Sequence, residues 1–413
     1  MATRGTLTPA SGAPGEGRGE GIARLTTPSS ASGRRNSARF FAAFFLLGIF
    51  IPLVGAFLHW DSAESNENRR LASLPGLPRS LKDANNYADN FLAFYRDHFG
   101  LRNTLTRAVA LTRVRGLGDD TGGAVLLGKD TGKDKWLFFR PDGDPNFIAQ
   151  RGLNPLTESQ LDAWQSLLEN RRAYLASRGI PYLLVIPPDK PTIYPEYLPP
   201  NYAPVHPVSR LDQLFARLRE SHSAIEFVDV RPALLSAKGP QLLYHPTDTH
   251  WTDWGAFIAY RQIIPHVQKL LPGWRIVPQT REDFFVGNPI PWPGDLARMM
   301  DMPDQYPEIE IPLERKKPYP VPEELAVRHS VFTMNNHAPS LPNLLLCRDS
   351  FAIALVPMLG PNFNRIVYSF HDTMDPALIE QCKPDLVIDE FLERNLFLNP
   401  PRDPGPIGEF KGH

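Results

Sequence analysis

The rhythm of apolar positions changes twice along this chain. From Leu81 to about Arg115, Tyr87, Phe91, Phe94, Tyr95, Leu101, Leu105, Val109 and Val114 recur at mostly helical spacing, with Gly100 as an interruption. Two short runs come next, Ala124 to Gly128 and Lys135 to Phe139, and together they predict a hairpin. Residues 157–178 are amphipathic and stop at Gly179, a good helix terminator. Beyond that point the pattern alternates. Strand-like runs at Tyr182–Ile186, Phe227–Val230, Leu344–Cys347, Ile366–Phe370 and Leu386–Ile388 lie among helical stretches near 208–222, 253–270, 350–359 and 375–382. Short, nearly continuous apolar strands between helices predict an α/β fold, with a parallel sheet covered on both faces. Residues 272–343, rich in Pro and charge, break the alternation and read as an insertion or long loops over one end.

The N-terminal part has a different pattern. Residues 1–38 are rich in Gly, Ser, Thr, Ala and Arg, carry almost no large apolar residues, and are expected to be a disordered cytoplasmic tail. Phe40 to Leu58 then gives nineteen residues without a charge. A helix of that length measures about 28 Å, enough to cross a hydrocarbon core, and Pro52 would kink it without forbidding it. Arg34, Arg35 and Arg39 precede the run, whereas Asp61, Glu64 and Glu67 come after it. The positive-inside bias therefore predicts a transmembrane signal-anchor over 39–59, with the N-terminus in the cytoplasm and the rest outside. A cleaved signal peptide is the alternative, with Val54-Gly55-Ala56 as a small-residue site. The remaining chain divides into a helical linker region, 60–123, a catalytic-type domain, 124–397, and a tail, 398–413.

Composition narrows the function classes. The net charge of −1 gives no global field for nucleic acid. Hydrophobic content of 42 % is ordinary for a folded core, and many of the 43 prolines sit in rigid connections such as Pro187-Pro188. The two cysteines, Cys347 and Cys382, allow no cysteine zinc site. They are expected at opposite edges of the sheet, hence as free thiols.

The densest chemical signal is Tyr244-His245-Pro246-Thr247-Asp248-Thr249-His250-Trp251. Much later comes Cys347-Arg348-Asp349-Ser350-Phe351, where a serine directly succeeds a strand-like run. Serine needs a histidine to take its proton and a third group to orient that histidine. Two residues apart in an extended or turn segment, Asp248 and His250 can point the same way, which leaves Nε2 free to act as base. Ser350 is expected at the carboxyl edge of the sheet, where a helix N-terminus would set N–H groups beside a developing oxyanion. Each element has a structural alternative. Asp349 or Ser350 can simply cap a helix, and Asp248 can bind backbone amides in a buried turn. His245, Asp248 and His250, with Asp253 nearby, also form a compact set of zinc-type ligands, although the spacing matches no defined signature. His371, beside Asp372, is a rival base at the same edge. Lys190 lies there too, and its alternative is a solvated loop lysine.

Taken in order, the motifs resemble the AlgX/AlgJ-type alginate O-acetyltransferases, whose catalytic domain is SGNH-hydrolase-like and flavodoxin-like in layout. The shared features are Glu67-Asn68-Arg69-Arg70-Leu71, Trp136-Leu137-Phe138, Val185-Ile186-Pro187-Pro188-Asp189-Lys190, Asp248-Thr249-His250-Trp251-Thr252, Gly294-Asp295-Leu296 and Arg348-Asp349-Ser350-Phe351. The resemblance implies Asp248 as orienting acid, His250 as general base and Ser350 as nucleophile, with Arg348, Lys190 and Asp295 as substrate-binding or oxyanion candidates. It implies acetyl transfer without a cofactor or metal, to hydroxyls of a periplasmic polysaccharide, from a donor supplied by a multipass membrane acyltransferase. Arg348 stands where many SGNH-type serine motifs have Gly. No C-terminal carbohydrate-binding module of the AlgX kind is evident, which favours a membrane-anchored AlgJ-like arrangement. A carbohydrate esterase using the same three residues, and a non-catalytic scaffold of a polysaccharide assembly complex, are the competing functions.

Overall fold

The computed structural model describes residues 31–58, 72–78, 81–117, 124–140, 144, 147–317, 319, 331–370 and 372–409. The motif 67–71 and the rival base His371 lie outside these residues. The first helices are α1 (Ala31–Phe57), α2 (Leu81–Asp97) and α3 (Arg102–Leu111). As the spacing anticipates, α2 and α3 part around Gly100, where Leu101 adopts a left-handed φ of 72°. Helix α1 contains the apolar run, and its Phe40, Phe41, Phe44 and Phe45 stand exposed. Among the described residues no helix is long and apolar enough to cross a membrane. Several side chains of α1 lie outside the description.

The domain begins with the expected hairpin, β1 (Val125–Asp130) antiparallel to β2 (Lys135–Phe139). Helix α4 (Glu158–Ala176) starts at a capping box, Thr157 with Gln160, and ends before Gly179 at φ 69°. Then come β3 (Tyr182–Val185), α5 (Lys190–Ile193), α6 (Arg210–Glu220), β4 (Glu226–Val228), α7 (Arg231–Ser236) and α8 (Asp253–Leu270). The segment expected to be loops contains β5 (Phe284–Val286), β6 (Ile290–Pro291), α9 (Asp295–Met299), β7 (Ile309–Glu310), β8 (Leu313–Arg315) and β9 (Val331–Asn335). Within it β5 pairs with β8, and β6 with β7. The chain closes with β10 (Asn343–Cys347), α10 (Val356–Leu359), β11 (Arg365–Ser369), α11 (Pro376–Cys382), β12 (Leu386–Glu390) and α12 (Gly405–Glu409).

Six strands form the main sheet in the order β4-β3-β12-β10-β11-β9. Five run parallel, and β9 is antiparallel to β11 at the edge. All five expected strands are present. The order differs from the flavodoxin arrangement, because the last strand, β12, sits between β3 and β10 instead of at an edge. Strand β9 escapes a sequence reading because its side chains are only intermediate or exposed, so it lacks an apolar run.

Side-chain alternation explains the layering. Leu183 and Val185, Leu344 and Leu346, Ile366 and Tyr368, and Leu386 and Ile388 pack into one core with α8. Tyr182 and Leu184, Leu345 and Cys347, Val367, and Val387 face the other, with α4 and α6. Residues that alternate between two dry faces must all be apolar, which is why these strands read as continuous runs. At about 1.5–3 kcal/mol for each large side chain, this double burial dominates the folding energy. Residues 398–409, expected as a tail, are part of this packing. Ile407 is fully buried in the second core, and Asp403 pairs with the buried Arg171, which also holds Asp389 of β12. Cys347 and Cys382 are buried free thiols.

Candidate active site

The Asp-Thr-His segment is a tight excursion closed at its base. Tyr244 and Trp251 form an antiparallel bridge, and the His245 N–H donates to the His250 carbonyl at 3.1 Å. Thr252 then caps α8 by accepting from the Gly255 N–H. Gly255 is required there, because a Cβ would lie 2.1 Å from the Leu243 carbonyl oxygen. Two further bonds fix the excursion to the sheet edge. The Tyr244 hydroxyl donates to the Pro188 carbonyl, and the Trp251 indole donates to the Phe351 carbonyl, beside the serine.

Lys190 anchors the excursion from below. Its Nζ donates to the carbonyls of His245, Pro246 and Asp248 at 2.9, 3.0 and 2.6 Å. Being 2 % exposed, it is no solvated loop lysine, and its donors are spent on the chain. Burial pulls its pKa down to about 8, against the attraction of Glu308, Asp248 and Asp295. The ammonium form therefore prevails at neutral pH.

On this support Asp248, His250 and Ser350 form one hydrogen-bonded line. His250 Nδ1 lies 2.7 Å from Asp248 Oδ1, and Nε2 lies 2.8 Å from Ser350 Oγ. An ionised carboxylate only accepts, so Nδ1 carries the proton and Nε2 is left to accept the serine hydroxyl. Burial would raise the Asp248 carboxyl, yet the His250 charge and hydrogen bond, with His245 nearby, hold it well below the usual range. Burial would lower the His250 pKa, but the Asp248 charge and hydrogen bond outweigh it and raise it.

The serine turn is fixed by its neighbours. Asp349 Oδ1 accepts from the Phe351 N–H at 2.8 Å, Asp349 Oδ2 from the Leu392 N–H at 2.9 Å, and the Asp349 N–H donates to Glu390 at 3.0 Å. Asp349 is thus the capping residue, and the Ser350 side chain makes no cap bond. After the serine the chain enters a 3-10 turn, Phe351–Leu355, instead of an α-helix, and the Phe351 N–H is already taken. The helix N-terminus expected to supply oxyanion donors is therefore not formed as anticipated. Arg348 is buried, donates to the Asp349 carbonyl at 3.1 Å and lies 4.9 Å from the Phe370 ring.

Asp295 comes to the same place at the start of α9. Its carboxylate accepts from the Thr249 N–H and hydroxyl at 2.8 and 2.7 Å and lies 3.7 Å from His250 Nδ1, while its own N–H donates to Asp248 Oδ2 at 3.0 Å. Burial and the Asp248 charge raise its pKa, with His250 opposing. Gly294 permits this docking, since a Cβ there would sit 2.2 Å from the Thr247 carbonyl oxygen. Ligand-type atoms of Asp248, His250 and Asp295 come within 4.8 Å of one another, but hydrogen bonds within the cluster already engage their oxygens. The expected alternative metal set does not assemble: His245 turns to Glu308 at 2.6 Å, and Asp253 accepts from the Leu313 N–H.

Trp292 and Glu308 escape a reading of the sequence. The Trp292 indole donates to Asp248 Oδ2 at 3.2 Å, and its ring stacks on His245 at 4.6 Å and 9°. Both residues lie in the Pro-rich segment, where no periodicity marks them. Trp292 lies two residues before the Gly-Asp-Leu motif, the one signal that points to it, and nothing nearby in the sequence marks Glu308.

Comparison with known proteins agrees with the motifs. Residues 130–338 match the family model described as SGNH hydrolase-like domain, acetyltransferase AlgX. That span includes Lys190, Asp248, His250 and Asp295 and ends before Ser350. The chain is similar to the "Probable alginate O-acetylase AlgJ" of Azotobacter vinelandii, 24 % identical over 334 residues that cover 74 % of this chain and 78 % of the relative. A relative of the same name from Pseudomonas putida is 30 % identical over 178 residues, 41 % of each chain. Among solved structures, the O-acetyltransferase domain of Pseudomonas putida AlgJ aligns with a TM-score of 0.47 at 23 % identity, covering 70 % of this chain and 98 % of that one.

The role of Lys190 yields a direct test. Lys190→Met leaves three buried carbonyls without their donor, and unfolding in denaturant should show a loss of about 2–3 kcal/mol. An unchanged midpoint would show that the excursion holds itself without the lysine.

Proposed function

The chain belongs to the AlgX family of SGNH hydrolase-like acetyltransferase domains, and from that premise we propose that it carries acetyl groups through Ser350 to hydroxyls of an exopolysaccharide. The observation that supports this most is the unbroken line from Ser350 Oγ through His250 to Asp248, at 2.8 and 2.7 Å. In the first half-reaction His250 Nε2 takes the hydroxyl proton as Ser350 Oγ attacks the acetyl carbonyl. The tetrahedral intermediate collapses to acetyl-serine, and the donor's leaving group departs with that proton. In the second, a sugar hydroxyl gives its proton to Nε2 and attacks the ester, and Ser350 leaves and recovers a proton. Asp248 stays ionised throughout and stabilises the imidazolium. Arg348 and Asp295 serve as supports of the serine turn and of the histidine loop, and Lys190 fixes the loop's backbone.

The relatives' names give alginate as the acceptor; other exopolysaccharides offer the same hydroxyl chemistry. Under this reading the uncharged run Phe40–Leu58 associates the chain with the inner membrane, with the domain in the periplasm and a multipass acyltransferase as acetyl source. The uncharged run Phe40–Leu58 and the basic residues before it support the anchor.

Ser350→Ala and His250→Ala should each lower kcat on 4-nitrophenyl acetate at least about a thousandfold with folding intact. The imidazolium cannot accept a proton, and Asp248 raises its pKa, so wild-type kcat/KM should rise with pH through a value above the ordinary 6.5. Full activity in Ser350→Ala would exclude the acyl-enzyme. Added polysaccharide should divert acetyl from water to sugar, whereas an esterase would release acetate regardless. The anchor is tested by fractionation: the protein should stay with membranes in alkaline carbonate, and release of a shortened soluble form would mark the run as a cleaved signal.

A further inference from the structure

We propose that Trp292, braced by the His245–Glu308 pair, is a positioning residue that sets the orientation and proton affinity of Asp248 and, through it, of His250. The inference rests on the triad reading above. Asp248 Oδ1 is committed to His250, accepting from Nδ1 at 2.7 Å and from the backbone N–H at 3.0 Å. Oδ2 accepts from the Asp295 N–H at 3.0 Å and from Trp292 Nε1 at 3.2 Å. Of these four donors, Trp292 alone is a side chain other than His250. It is also the one that mutation can remove without touching the backbone or the base itself.

The indole is held in place from two sides. The Trp292 N–H donates to the Glu308 carbonyl at 2.9 Å, so the two residues face each other across the β6–β7 ladder. The Glu308 side chain binds His245 Nδ1 at 2.6 Å and the Thr247 N–H at 2.8 Å. His245 and Glu308 are only 2 % and 6 % exposed, and the imidazole lies flat against the indole. Burial disfavours a charged His245, but the Glu308 hydrogen bond and charge prevail and raise its pKa. The insertion therefore contributes an arm that reaches back to the triad acid.

The consequence has a sign. An N–H on Oδ2 draws charge from the carboxylate, and removing it leaves Asp248 more basic. A more basic Asp248 holds the imidazolium more firmly, so the acid limb of the pH profile must move up. The charged groups facing this pair are His245, Asp295 and the Lys190 ammonium around Asp248, and Asp295 and Arg394 around His250. Trp292→Phe removes none of these groups, and a phenyl ring keeps an aromatic face toward His245. A role confined to packing would change stability or KM and leave that limb in place.

The experiment measures kcat/KM against pH with 4-nitrophenyl acetate for full-length wild type, Trp292→Phe, Glu308→Gln and Ser350→Ala. Trp292→Phe should lower kcat about tenfold and raise the acid limb by about half a pH unit, with KM changed much less. Glu308→Gln keeps the indole but loosens the His245 ring stacked on it, and should move the limb the same way by a smaller amount. Combining them should give less than the sum, because both act on one carboxylate. Unmoved limbs in both variants, with Ser350→Ala inactive, would overturn the proposal alone. A Ser350→Ala enzyme as active as wild type would overturn the triad reading and this inference with it.

Discussion

A carboxylate removed from water has to be compensated by donors, and Asp248 is compensated completely. Its two oxygens accept from His250 Nδ1, the His250 and Asp295 N–H groups and the Trp292 indole. Those donors come from two separate parts of the chain, the Asp-Thr-His excursion and the Pro-rich segment. The need to satisfy one buried anion therefore dictates how the segment must fold over the sheet edge. Gly294, the docked start of α9 and the short β6–β7 ladder all serve that requirement, as does the stacked His245.

The serine arrives by a different route. Parallel strands deliver their carboxyl ends to one edge, and β10 delivers Ser350 there, next to β12. Asp349 ties the turn to the end of β12 through Leu392 and Glu390. Burial, reinforced by the Asp349 charge, pushes the Glu390 carboxyl well above its ordinary range and favours its neutral form. The excursion before α8 meets the turn through the Trp251 indole and the His250 ring, which lies 4.9 Å from Phe351. Residues 100 positions apart thus meet because sheet topology, rather than local sequence, sets the distance.

Where burial and periodicity coincide, the sequence is readable. The strands β3, β10, β11 and β12 are apolar on both faces and stand out as runs, and α4 and α8 carry their own caps. The Asp-Thr-His segment and Ser350 can be picked out by residue type. The rest depends on three-dimensional compensation. Lys190 reads as a solvated loop residue because nothing in its neighbours reveals three carbonyls waiting for it. Trp292 and Glu308 lie in a stretch without periodicity. Strand β9 and the docking of 398–409 are tertiary effects: one is an edge strand without an apolar run, and the other is drawn in by Ile407 and the Arg171–Asp403 pair.

If Ser350 carries the acetyl group, it must do so in covalent form, and that form can be trapped. The full-length protein is mixed with 4-nitrophenyl acetate in the absence of acceptor, quenched in acid and its peptides mapped by tandem mass spectrometry. A single acetyl should appear on the Ser350 peptide, disappear when polysaccharide is added before the quench, and never form in His250→Ala. Acetyl located on another residue, or turnover without any acetylated Ser350, would contradict the covalent role of this serine.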